Sequence, residues 1–179
     1  IETWSQYPQF QKTAAQLEAQ HAAAPEHRAA HFRAAEEVHE DCMIMRQSFV
    51  SNLWCSGWSA STYDAWWQSQ SEADAYAHLH RCVQLIGSND RDKRWLLKNP
   101  GHIENLDLLL AVFPDAKIIQ THRDPAKAVP SLVSLLMQLH PMLEEGRFEQ
   151  RGQIMMQREI GKWSNAVNKA QAVREKHPG

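Results

Sequence analysis

The sequence predicts an α/β protein in which a short parallel sheet is flanked by helices. It reads as helix-rich and incomplete. Two observations carry that reading. Arg94-Trp95-Leu96-Leu97-Lys98 and Lys117-Ile118-Ile119-Gln120-Thr121 are short apolar or β-branched runs bounded by turn residues. Between them Ile103 to Phe113 repeats apolar residues at helical spacing, and a further helix follows. Strand, helix, strand and helix in succession predict a right-handed crossover with its two strands parallel.

The elements follow in order. Ala, Gln, Glu and His dominate from Gln9 to Ala24, a helix that Pro25 ends. Pro25 suits a first helical turn, and a second helix is expected from there to about Leu53. Its apolar face is Phe32, Ala35, Val38, Cys42, Met45 and Phe49, at steps of three and four. Gly57 to Thr62 breaks the chain, Tyr63, Trp66 and Trp67 form an aromatic stretch, and Glu72 to Ile86 reads as a helix. Gly87 to Asp92 is a polar turn. Asn99-Pro100-Gly101 ends the first strand, and Pro114-Asp115 ends the helix after it. Asp124 and Pro125 carry N-cap and first-turn chemistry. Pro125 or Pro130 opens a helix reaching about Leu139; Pro130 lacks an N–H and clashes one turn back, so a break is expected there, with a new helix starting at Pro130 and Ser131 at its N-terminal turn. Phe148 to Glu175 reads as a helical tail. The expectation is one domain: residues 1–90 mainly helical, 91–140 the β-α-β-α core, and 141–179 the tail.

Composition narrows the function. The 179 residues are 43% hydrophobic and 22% charged, with seven Gly and eight Pro. These values exclude a disordered or collagen-like chain. Nineteen Lys and Arg against 21 Asp and Glu leave a net charge of −2. Wholesale binding to nucleic acid or a membrane surface is therefore not expected, while a local basic pocket for a small anion is. Three cysteines, Cys42, Cys55 and Cys82, with no C-x-x-C pair, point to a reducing compartment, hence the cytoplasm. No apolar run approaches the ~18 residues of a membrane span. The start at Ile1 and the end at His177-Pro178-Gly179 suggest a piece of a longer protein. His21, His27 and His31 have near-helical spacing, but Pro25 interrupts it and no further ligand completes a set, so no metal is expected.

The chemistry gathers at the two strand ends. Ligands of open parallel sheets sit beyond the carboxyl ends of the strands. Lys98, His102, His122 and Arg123 would crowd one such edge and form an anion site, with Lys98 and Arg123 on neighbouring strands. A hydroxyl and free N–H groups at a helix start at Ser131 would face the same anion. Arg123 adds a planar fork suited to phosphate. His122 is read as bracing the turn. Trp54, Trp58, Trp66 and Trp67 are either core or the wall of an acceptor pocket.

The stretch from Arg94 to Leu136 resembles the core of the bacterial sulfotransferase family that uses 3′-phosphoadenosine 5′-phosphosulfate (PAPS). The matching residues are Lys98, Pro100 and His102, then Phe113-Pro114-Asp115-Ala116, then His122-Arg123-Asp124-Pro125, and Ser131 eight residues beyond the Arg. Glu40-Asp41-Cys42 resembles an upstream Glu-Glu-Cys of that family. The resemblance implies a P-loop-like fold, with residues 91–140 as donor-binding core and Arg123 and Ser131 holding the donor's 3′-phosphate. It implies sulfuryl transfer to a hydroxyl or amine of a small-molecule acceptor, without a metal. Such transfer needs a base on the acceptor and a cation for the leaving phosphate. His102 and Lys98 are the candidates for these roles, with Glu40 as a second base. The family's Gly-rich phosphosulfate loop has no counterpart here: Cys55-Ser56-Gly57-Trp58-Ser59 lacks a basic residue. Two rival readings follow, a non-catalytic remnant or interaction domain of this fold and another nucleotide-dependent phosphotransferase.

Overall fold

A computed structural model describes residues 3–145 and 150–177. The chain divides into two compact units, Ile1–His39 and Glu40–Gly179. In the first, helix α1 (Pro8–Ala23) and helix α2 (Pro25–Ala30) each open with Pro at the first turn. That position needs no N–H donor. No residue of α1 is buried. Aromatic contacts order this unit instead: Trp4 meets Phe10 edge-on at 4.7 Å, and His21 stacks on Phe32 at 5.4 Å.

The second unit is a helical assembly. Its helices are α3 (Cys42–Met45), α4 (Asn52–Gly57), α5 (Ser61–Gln68), α6 (Ala73–Ile86), α7 (Leu106–Val112), α8 (Pro125–Leu143) and α9 (Arg151–Lys176). Short 3₁₀ turns cover Arg46–Ser48, Gly87–Asn89 and Pro100–Glu104. Buried Ala75, Tyr76, Leu79 and Val83 recur at helical spacing along α6. They form the main core with Met45, Leu106, Leu109 and Ala170. A second core joins Val133 and Leu136 of α8 to Met155 of α9. No helix among the described residues is long and apolar enough to cross a membrane.

The expected parallel sheet is not found, and with it goes the P-loop-like architecture. Among the described residues no strand forms, and residues 94–99 and 116–124 are irregular. A strand satisfies its backbone only against a neighbour, and its preference for apolar residues reflects packing on that neighbour. Neither run meets one here. Trp95 lies on the end of α6, so close that a Cβ at Gly87 would sit 2.8 Å from its Nε1. Leu97 packs on the main core, whereas Leu96 is 88% and Ile119 89% exposed. Lys98 and Arg123 therefore share no sheet edge.

Two helix boundaries are also corrected. The second predicted helix, Pro25 to Leu53, stops at Ala30, and residues 31–41 are not helical. Val38, placed on its apolar face, is 96% exposed. Pro130 does not break α8, so Ser131 opens no helix. Proline at this position removes one hydrogen bond, to the Ala126 carbonyl, and Pro130 lies on the exposed side, where water can solvate that carbonyl. Asp124 does cap α8, its Oδ1 accepting from the Ala126 N–H at 3.0 Å. The tail helix starts at Arg151; Phe148 and Glu149 lie outside the described residues.

These positions predict unequal costs of truncation. Leu79→Ala, at a fully buried site, should lower stability by about 2–5 kcal/mol. Leu96→Ala should change it by no more than about 0.5 kcal/mol. Denaturant unfolding of both variants measures this, and a comparable loss at Leu96 would mean that it packs inside a sheet.

Candidate active site

Two segments 58 residues apart meet in the second unit. The Glu40 carboxylate pairs with the Lys98 ammonium through Oε1 and Nζ. The Lys98 side chain is 68% exposed and that of Glu40 19%, so the pair faces water. Beside it, Asp41 is buried. Its Oδ1 accepts from Asn99 Nδ2 at 3.0 Å and its Oδ2 from His102 Nε2 at 3.1 Å. Its backbone N–H donates to the Lys98 carbonyl at 3.2 Å. Asn99 caps the following turn, Oδ1 accepting from the Gly101 N–H at 2.9 Å. Gly101 is a tight position: a Cβ there would lie 3.1 Å from Asn52 Nδ2 and push that side chain back by a few tenths of an ångström. The start of α4 thus rests on this turn.

His102 is committed on both ring nitrogens. Asp41 can only accept, so Nε2 carries a proton. Nδ1 lies 2.9 Å from the Tyr76 hydroxyl. Burial pushes the Tyr76 phenol well above its ordinary value, and Glu72 and Asp41 push the same way. The hydroxyl stays protonated and donates to Nδ1. Cys42 approaches Glu40 Oε2 at 3.8 Å. Burial, with Glu40 and Asp41, raises its thiol to about 11, so it is neither a thiolate nor a nucleophile near pH 7.

Arg123 and Ser131 are not joined to this cluster. Both are exposed, and among the described residues neither side chain has a hydrogen-bond or ion-pair partner. Lys127 is likewise exposed and stands one turn before Ser131 on α8. Two cations and a hydroxyl in water are a donor set that fits a phosphate. His122 is exposed, and among the described residues it makes no hydrogen bond that would brace the turn. Of the tryptophans, Trp67 is core and donates Nε1–H to Glu72 at 2.9 Å, whereas Trp54 and Trp58 are half-buried with ring centroids 5.2 Å apart. Among the described residues no group of three His, Cys, Asp or Glu side chains is arranged to hold a metal ion.

The joining of Glu40-Asp41-Cys42 to the Lys98–His102 turn unites two sequence motifs at one corner. A family model described as the sulfotransferase family matches residues 1–179. The chain belongs to the sulfotransferase family. No curated protein and no solved structure matches it. Membership makes this sulfotransferase-family chain a transferase by class.

Three residues of the corner were not singled out in the sequence. Asp41 stood inside a recognised motif, but nothing in the sequence separates its role from that of Glu40. Tyr76 lies in a segment that the sequence marks only as a helix. Asn99 reads as a turn residue, and its reach to Asp41 is tertiary. A further cluster joins Ser59, His140, Glu144 and Arg151, with His140 Nδ1 3.0 Å from Glu144 Oε1 and Ser59 Oγ donating to the same oxygen at 2.7 Å. It ties α8 to the loop after α4.

Glu72 yields a pH prediction. Burial raises its carboxyl to about 7, Trp67 opposes the rise through its hydrogen bond, and Glu104 adds to it. The folded value lies above the unfolded 4.5. Between these two values the folded chain holds the extra proton, so this group's contribution to stability falls as pH rises and levels off above about 7. Glu72→Gln should therefore melt higher than the wild type at about pH 8 and approach it near pH 5. Thermal unfolding across this range checks it; a pH-independent difference would contradict the assignment.

Proposed function

We propose that this chain carries out sulfuryl transfer from PAPS to a hydroxyl or amine of a small-molecule acceptor. The observation that supports it best is the exposed Glu40–Lys98 pair, anchored by the buried contacts of Asp41 with the 98–102 turn. Sulfuryl transfer has a loose transition state, so positioned charge matters more than covalent chemistry. Lys98 offsets the charge that develops on the leaving phosphate. Glu40 takes the acceptor proton. His102 is the alternative base, but it must give up a hydrogen bond to Asp41 or Tyr76 before either nitrogen is free. Arg123 and Ser131 hold the 3′-phosphate, with Lys127 on the same helix as Ser131; the exposure of these side chains, and their lack of a partner among the described residues, support this reading. The bound donor supplies an activated sulfuryl group.

Calorimetric titration with adenosine 3′,5′-bisphosphate, the desulfated product, tests donor binding. Arg123→Ala should weaken that binding about 10- to 150-fold, since a charge-assisted contact is worth roughly 1.5–3 kcal/mol. Failure of the wild type to bind the bisphosphate would overturn the donor assignment.

Turnover tests the base. Glu40→Gln should lower it by about 10²–10⁴-fold while leaving bisphosphate affinity nearly unchanged. Loss of turnover in His102→Ala with turnover kept in Glu40→Gln would move the base to His102.

A further inference from the structure

Among the described residues, Asp41 sends the hydrogen bonds of its N–H and carboxylate to one turn. The N–H binds the Lys98 carbonyl, Oδ1 binds Asn99 and Oδ2 binds His102. Its own carbonyl accepts from the N–H groups of Ile44 at 2.9 Å and Met45 at 3.2 Å, which starts α3. The side chain is 5% exposed, and among the described residues no Lys or Arg pairs with it. A buried carboxylate in that condition depends on its hydrogen bonds, so the turn cannot shift without leaving it unsatisfied. Glu40 precedes Asp41 and Lys98 precedes Asn99 in the chain, so pinning Asp41 to Asn99 sets the opposition of Glu40 to Lys98.

We propose that Asp41 is the positioning residue of this site: it holds the 98–102 turn so that Glu40 faces Lys98, and it locks His102 with its proton on Nε2. This rests on the reading of Glu40 and Lys98 as the reacting pair.

The hydrogen bonds around it dictate what an amide would do there. Asn99 must present its NH₂ to position 41, because its Oδ1 is held by the Gly101 N–H. An asparagine at position 41 would turn its single oxygen to Asn99 and its NH₂ to His102. The imidazole can accept on Nε2 only by moving its proton to Nδ1, which then donates to the Tyr76 oxygen. Asp41→Asn should therefore keep the turn and exchange the His102 tautomer. Asp41→Ala removes both side-chain anchors.

Two measurements test this. ¹⁵N NMR of the histidine rings should show His102 protonated on Nε2 in the wild type and on Nδ1 in Asp41→Asn. The same tautomer in both overturns the proposal, as does a wild type protonated on Nδ1 alone. Steady-state turnover, corrected for folded fraction, should fall about 10²-fold in Asp41→Ala, the scale of a small misplacement of reacting groups. It should stay within about tenfold of wild type in Asp41→Asn, with bisphosphate affinity unchanged in both. A loss in Asp41→Ala that only tracks its folded fraction makes the residue structural and overturns the positioning role. If Asp41→Ala does not fold, the tautomer exchange in Asp41→Asn decides. A wild type that shows no sulfuryl transfer while the tautomer exchanges as stated would sink the functional reading and leave the lock on His102 standing.

Discussion

Removing a carboxylate from water costs several kcal/mol unless donors replace the lost solvent. Asp41 meets that requirement with Asn99 and His102, and the consequence spreads outward through the second unit. His102 must then find a partner for its other nitrogen, and Tyr76 supplies it from the centre of the main core. Asn99 has one end left, which caps the turn at Gly101, and Gly101 lies against Asn52 at the start of α4. One satisfied buried charge thus links the start of α3, the middle of α6, the 98–102 turn and α4. Lys98 and Glu40 sit at the edge of this network, where water reaches them.

Three further carboxylates, Glu159, Glu144 and Glu72, show how partners, more than depth, set ionisation. Glu159 has no exposure, yet Lys162 and Arg158 outweigh burial and hold it below the usual carboxylate range. At Glu144 burial is likewise outweighed, by two Ser59 hydrogen bonds with His140 and Arg151. Among the described residues Glu72 has only the Trp67 indole as a side-chain hydrogen-bond donor, and burial prevails. The first two carboxylates stabilise α8 and α9 as ions. The third is neutral below pH 7 and becomes a charged, poorly compensated group above it.

Among the described residues the core is helical, without a sheet, and α9 reaches the candidate corner directly. Its Lys169 and Asn165 both donate to Glu104 at the end of the 98–104 segment. Met155, Glu159, Ala166 and Ala170 form one buried face, so the same helix packs on α8 at one end and on the main core at the other. Phe49, the sole non-glycine residue with positive φ among the described residues, is held at 66° by the Tyr63 hydroxyl donating to its carbonyl. That clamp fixes the entry to α4 beside the corner.

The sequence by itself determined the helices whose signals are local. Pro25 separates α1 from α2, Glu72 to Ile86 reads as the helix that is α6, and Asp124-Pro125 carry the start of α8. Motif spacing also selected Glu40, Lys98, His102, Arg123 and Ser131 as the residues to inspect, and it carried the family resemblance. Only the tertiary structure decided the rest. Whether Arg94–Lys98 and Lys117–Thr121 become strands depends on a neighbour to pair with, which no local pattern encodes. Whether Pro130 ends a helix depends on whether the freed carbonyl can be solvated. The ties of Asp41 to Asn99 and His102, and of His102 to Tyr76, join residues from 26 to 61 positions apart. Composition and periodicity register which residues are apolar; they do not register which buried polar atoms must find one another.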